Sequence, residues 1–177
     1  MKIVIIVLVV LAAVIGLLLL IALFIKNEYS IKREITIGRS GKDVYDYIKF
    51  QRNQEQYSKW VMADPNMKKE FKGTDGNIGF VYAWDSENKN VGKGEQEIIK
   101  LVDGERVDAE IRFIKPFEGI ATTSMTIEPM SENKVKVAWV MNGRNNYPMN
   151  LMTPFIDNLL GKDLGLSLTM LKNILEK

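Results

Sequence analysis

Hydrophobic and polar positions divide this chain into two unequal parts. From Ile3 to Ile25 it reads IVIIVLVVLAAVIGLLLLIALFI, without a charge, a polar side chain or a proline. A helix of that length reaches about 35 Å, enough to cross a hydrocarbon layer of about 30 Å with some tilt. The polar run Lys26-Asn27-Glu28 ends it. A cleaved secretory signal would carry about 7–15 apolar residues followed by small residues at the cleavage site. Leu23-Phe24-Ile25-Lys26 supplies no such site. The pattern predicts an N-terminal transmembrane anchor over residues 1–28, with residues 3–25 in the bilayer, and one further domain over residues 29–177.

Beyond the anchor the period shortens to two. Tyr29, Ile31, Arg33, Ile35 and Ile37 alternate with polar neighbours and predict a first strand. Ser40-Gly41-Lys42-Asp43 has the form of a capping box, opening a helix with Val44, Tyr47 and Ile48 on one face. Asn53 is placed to cap a short second helix ending near Trp60. Six strands follow, at 68–72, 79–84, 92–102, 106–114, 119–128 and 134–142. Turn residues such as Asp75-Gly76, Asp103-Gly104 and Lys115-Pro116 separate them. Such short separations favour antiparallel hairpins. Thr153 and Pro154 suit a cap and first helical position, and Phe155, Leu159, Leu160, Leu164, Leu168, Leu171 and Leu175 then follow helical spacing.

Composition narrows the chemistry. Twenty-four basic and 22 acidic residues leave a net charge of +2, which argues against a nucleic-acid surface with its concentrated basic stripe. Histidine and cysteine are both absent, so the commonest general base, the strongest side-chain nucleophile and the commonest zinc ligands are missing. No metal, cofactor or catalytic residue is expected. Lys26, Lys32, Arg33, Arg39 and Lys42 follow the apolar segment and only Lys2 precedes it, which leans the larger domain towards the cytoplasmic side. Ala12 and Gly16 form a single small-xxx-small pair on which two anchors can approach.

Several segments resemble the polyketide cyclase/dehydrase-type branch of the START-related helix-grip (SRPBCC) superfamily. They are Gly92-Lys93-Gly94-Glu95-Gln96-Glu97-Ile98, Arg112 to Glu118, Lys134 to Trp139, Tyr147 to Met152 and Gly161-Lys162-Asp163-Leu164. The resemblance runs from Tyr29 to the end and rests on the order and spacing of these segments. It implies an α+β fold of the helix-grip (START/Bet v 1-like) type, a curved antiparallel sheet packed on a long C-terminal helix. That superfamily includes lipid carriers, hormone receptors and aromatase/cyclases, so the fold alone does not choose a function. Similar sequences carry glycine before leucine late in the last helix, where this chain has Ser167-Leu168.

A long helix across a bent sheet leaves a space for a ligand. Phe80, Tyr82 and Trp84 alternate on one strand, Phe113 ends another, and Trp139 and Met141 share a face of a third. Trp60, Met152, Phe155 and Leu159 complete the expected ligand-binding set, an apolar pocket with aromatic walls and adaptable methionine. The same stripes also suit an ordinary core. Glu95 and Glu97, if turned inward, would be paired carboxylates for acid–base work, whereas outward exposure beside Arg112 or Lys100 fits how rarely glutamate is buried. The polar loop Asn142 to Tyr147 is either a gate or a plain connection to the final helix. The leading expectation is a membrane-anchored module for a hydrophobic small molecule or lipid. The alternatives are a cyclase- or hydrolase-type enzyme and a structural or stress-related partner domain without a ligand.

Overall fold

A computed structural model describes every residue from Met1 to Lys177. The apolar segment is helix α1 (Lys2–Ala22), followed by a turn through Leu23, Phe24 and Ile25. The helix therefore ends one turn earlier than the hydrophobic run. Its side chains are exposed along almost the whole length, and only Ala22 is buried. The reason lies at the C-terminal carbonyls, which have no partner inside a helix. Asn150 Nδ2 donates to the carbonyls of Ala22 at 2.6 Å and Ile25 at 2.9 Å. A side chain from far along the chain thus caps the helix and fixes the turn that follows.

Strand β1 (Glu28–Ile37) leads to helix α2 (Gly41–Ile48), where Ser40 Oγ accepts from the Asp43 N–H at 3.2 Å, the cap read from the sequence. Val44, Tyr45 and Ile48 form its buried face, with Tyr47 half-buried instead of central. A 3-10 turn (Gln51–Asn53), the single-turn helix α3 (Gln54–Tyr57) and a second 3-10 turn (Val61–Ala63) replace the expected second helix. Asn53 does not cap it, because its Nδ2 donates back to the Tyr47 carbonyl at 2.7 Å.

Six strands follow as β2 (Lys68–Lys72), β3 (Val81–Asp85), β4 (Lys93–Val102), β5 (Arg106–Lys115), β6 (Gly119–Ser131) and β7 (Lys134–Arg144). With β1 they make one seven-stranded sheet in the order β1-β7-β6-β5-β4-β3-β2, antiparallel throughout the recorded pairings. Every neighbour except β1–β7 is also a neighbour in sequence, the expected run of hairpins. Strand β4 is bulged at Ile99: Ile98 pairs with Ala109 and Lys100 with Asp108, leaving Ile99 unpaired. One extra residue in a strand resets the alternation. Ile98 is fully buried, Ile99 and Lys100 are both exposed, and Leu101 returns to the core face.

A 3-10 segment (Met149–Phe155) precedes helix α4 (Ile156–Leu175), so Pro154 lies within the 3-10 segment and is not the first residue of the helix. Leu164, Leu168 and Leu171 of α4 are fully buried against Ile31, Ile37, Val135, Val137 and Trp139 of the sheet. Arg33 lies in the apolar register of β1 yet reaches across α4. Its guanidinium bonds both carboxylate oxygens of Asp157, at 2.8 and 3.0 Å. Gly161 makes this crossing possible, since a Cβ there would stand 2.0 Å from Arg33 Nη2.

Candidate ligand cavity

Residues from the sheet, the α3 region and the start of α4 enclose a cavity of about 250 Å³. An engineered apolar cavity of about 150 Å³ accommodates benzene, so this space exceeds one aromatic ring. Trp60, Val61, Trp84, Phe113, Ile111, Met141 and Leu160 supply apolar lining. Trp84 and Phe113 meet edge to face with centroids 6.5 Å apart. Gly94, opposite Trp84 in the β3–β4 ladder, is what lets the indole lie flat there: a Cβ would approach Trp84 Cζ2 to 2.6 Å.

Five polar residues line the cavity: Asn90 just before β4, Gln96 within it, and three from the α3 region. Gln51, Gln54 and Ser58 stand three and four residues apart, a spacing that aligns them on one face of the helical run. Asp75, in the β2–β3 turn, sets where that face points. Its carboxylate accepts from the backbone N–H of Gln51 at 2.8 Å and of Arg52 at 3.1 Å. Ser167 locks the other end, accepting from the Lys59 N–H at 2.9 Å while donating to the Asp163 carbonyl at 2.8 Å. A glycine at position 167 would lack this tie between α4 and the α3 region.

No protein-family model and no curated protein matches the chain. Solved structures do. Norcoclaurine synthase from Thalictrum flavum, in complex with dopamine and hydroxybenzaldehyde, superposes with a TM-score of 0.64 at 11% identity, over 88% of this chain and 91% of that one. XoxI from Bacillus cereus gives 0.61 at 13% identity, over 83% and 95% of the two chains. Protein CV1439 from Chromobacterium violaceum gives 0.60 at 16%, over 84% and 97%. The chain has the helix-grip fold.

Within this helix-grip domain the ten residues singled out from the sequence fall into three groups. Trp60, Tyr82, Trp84, Phe113 and Met141 line the cavity. Phe80 and Trp139 are buried behind it: Phe80 packs with Met67, Tyr82 and Ile98, and Trp139 stands edge-on to Tyr57 and Trp60. Met152, Phe155 and Leu159 are exposed and outside the lining. The 3-10 geometry explains the last group. At three residues per turn, Met149, Met152 and Phe155 eclipse on one side, and that side faces solvent. Leu160, one position on from Leu159, turns inward instead.

Tyr82 presents a phenol at the cavity wall, its hydroxyl donating to Glu55 Oε1 at 3.3 Å. Burial raises its pKa above the usual tyrosine value, and the Glu55 carboxylate adds to the rise. The folded pKa lies above the unfolded one, so the neutral phenol adds stability that is fully present below the unfolded value near pH 10. That stability is lost as pH climbs through the folded value. The melting temperature is expected to hold from pH 7 to 9 and fall above about pH 10. Tyr82→Phe should make that fall shallower; an unchanged alkaline slope would contradict the assignment.

Glu95 and Glu97 point away from the cavity, because Gln96 between them points into it. On the outer face Arg112 binds Glu95 at 2.6 Å, Glu97 at 2.7 Å and Glu110 at 2.7 Å. Glu97, then Glu95 and Glu110, raise the Arg112 pKa and hold the guanidinium charged. These carboxylates therefore knit β4 to β5 and are absent from the cavity lining. Arg112→Ala should leave three like charges facing one another and cost about 1 kcal/mol at low salt. Urea unfolding in low and in high salt checks this, with a smaller loss expected in high salt.

Proposed function

We propose that this protein is a membrane-tethered module that holds a hydrophobic small molecule or lipid between its sheet and its C-terminal helix. The observation that carries the reading is the cavity, walled mainly by aromatic and aliphatic side chains, with no lysine, arginine, aspartate or glutamate in its lining. Such a space favours apolar ligands and gives a charged one no counter-ion. Norcoclaurine synthase, which shares the fold, forms a complex with the aromatic molecules dopamine and hydroxybenzaldehyde. Trp60, Tyr82, Trp84, Phe113 and Met141 are the proposed ligand contacts. N-phenyl-1-naphthylamine, a neutral apolar dye, is the test probe for the full chain in lipid nanodiscs. Saturable binding at one dye per chain, above that of empty nanodiscs, supports the reading, and its absence counts against it.

The tether is helix α1, whose apolar side chains have nothing in the domain to cover them. The Asn150 cap joins its end to the 3-10 segment before α4. Exposed Phe117, Ile120, Tyr147 and Met149 border one surface cleft at this end, beside exposed Met152 and Phe155. Aromatic and aliphatic side chains at the exit of a spanning helix suit the interfacial zone of a bilayer. The tether predicts that the chain stays in the membrane pellet at pH 11 with residues 2–22 intact. A mature N-terminus beyond residue 22 would make the segment a cleaved signal. The excess of lysine and arginine just after α1 supports a cytoplasmic side for the domain. Because the chain has no cysteine, labelling of a single Lys177→Cys variant from either side tests that orientation directly.

A further inference from the structure

Gln51 is the one feature of the cavity that an apolar ligand does not explain. Its side chain is 2% exposed, and neither Nε2 nor Oε1 has a hydrogen-bond partner in the protein. The residue lines the cavity, and its backbone N–H is held by the Asp75 carboxylate. Most buried amides in folded proteins are satisfied, since an unpaired donor or acceptor forfeits its hydration, and here only Gln51 has both ends of its amide unpaired. A methionine of similar length would fill the position with no such loss. Gln54, Ser58, Asn90 and Gln96 also line the cavity with partners or solvent available to them, and all are uncharged; in this lining only the Gln51 amide is both buried and unpaired.

We infer that Gln51 recognises a neutral polar group on the ligand, a hydroxyl or carboxamide that both donates and accepts, so that the ligand is an uncharged amphiphile. A bare hydrocarbon would leave the amide unpaired. An anion such as a carboxylate would enter a lining with no cation to meet it. This rests on the cavity being a ligand site, and it assigns the orientation of the ligand within it, polar end towards the 3-10 turn at Gln51 and apolar body towards Trp84 and Phe113.

Trp60 and Trp84 line the cavity, so tryptophan fluorescence reports occupancy. The experiment titrates the full chain in nanodiscs with naphthalene, 2-naphthol, 2-naphthamide and 2-naphthoate at pH 7, against measured free probe concentration. 2-Naphthol and 2-naphthamide are expected to bind about tenfold more tightly than naphthalene, and 2-naphthoate more weakly than either. In Gln51→Met the preference over naphthalene should vanish while naphthalene binding persists. The ligand-free melting temperature should rise by about 3 °C, because the unpaired amide is gone. Naphthalene binding with no preference for its polar analogues in the wild-type chain overturns the inference and leaves the cavity reading standing. A preference that survives in Gln51→Met overturns it too. No quenching by any of the four probes rejects the cavity reading itself. If Gln51→Met fails to fold, the wild-type series still decides, and Gln51→Asn, which retracts the amide, should reduce the preference.

Discussion

Trp139→Ala is expected to destabilise the domain by about 3–5 kcal/mol, a large part of the roughly 5–15 kcal/mol that holds a domain folded. The indole is 3% exposed on β7, between β1 and β6. It packs edge-on against Tyr57 with centroids 6.0 Å apart and against Trp60 at 6.3 Å. Its Nε1 donates to Thr123 Oγ1 at 2.6 Å, and that hydroxyl donates onward to the Val140 carbonyl at 3.1 Å. Truncation would open a cavity and remove the hydrogen bond to Thr123. It would also free Trp60, a wall of the ligand cavity, from the ring that positions it. Trp139→Phe keeps the aromatic contacts and should cost about 1–2 kcal/mol. Urea unfolding followed by circular dichroism separates the two. Near-equal losses would show that the indole is not the support this packing requires.

Ile111→Trp should have the largest effect on binding. Ile111 projects from β5 into the cavity among Met141, Trp84, Phe113 and Leu160. An indole there occupies the space a ligand would fill. Overpacking a full core costs about 1–3 kcal/mol, but this position borders open volume, so the stability change should lie at the lower end. Dye affinity is expected to fall at least 50-fold while the circular dichroism spectrum stays that of the wild type. A variant that folds and binds dye as well as the wild type would place the site elsewhere.

Strand positions and the buried stripe of α4 were legible because their periods are regular. Leu164, Leu168 and Leu171 appear in the sequence at helical spacing and are the residues that meet the sheet. Bulges are harder to see. The pair Ile98-Ile99 blurred which face of β4 was inward; Ile98 is buried and Gln96 lines the cavity, which leaves Glu95 and Glu97 on the outer face, and the unpaired Ile99 starts a bulge. The segment before α4 misled for another reason. Thr153-Pro154 has the chemistry of a helix start, yet a tighter 3-10 turn runs through it and rotates Met152 and Phe155 to the surface. Tertiary bonds decided the end of α1, since no local signal announces a cap supplied by Asn150.

The polar half of the cavity was missed outright. Gln51, Gln54 and Ser58 carry a helical spacing that is visible in the sequence, but the rule that polar residues face water assigns them outward. The carboxylate of Asp75, brought from the β2–β3 turn, and Ser167 of α4 at the other end hold that face inward. An uncharged polar face looking into an apolar space is a more specific sign of a ligand than the aromatic residues, most of which a core would also use.

The most direct test of the cavity as a ligand site is native mass spectrometry of the full chain, wild type beside Ile111→Trp, each released from mild detergent. The wild type is expected to carry one small neutral molecule per chain that the variant lacks, while lipids bound around α1 appear in both. A wild-type chain with no such molecule, and a spectrum matching that of the variant, would contradict the account.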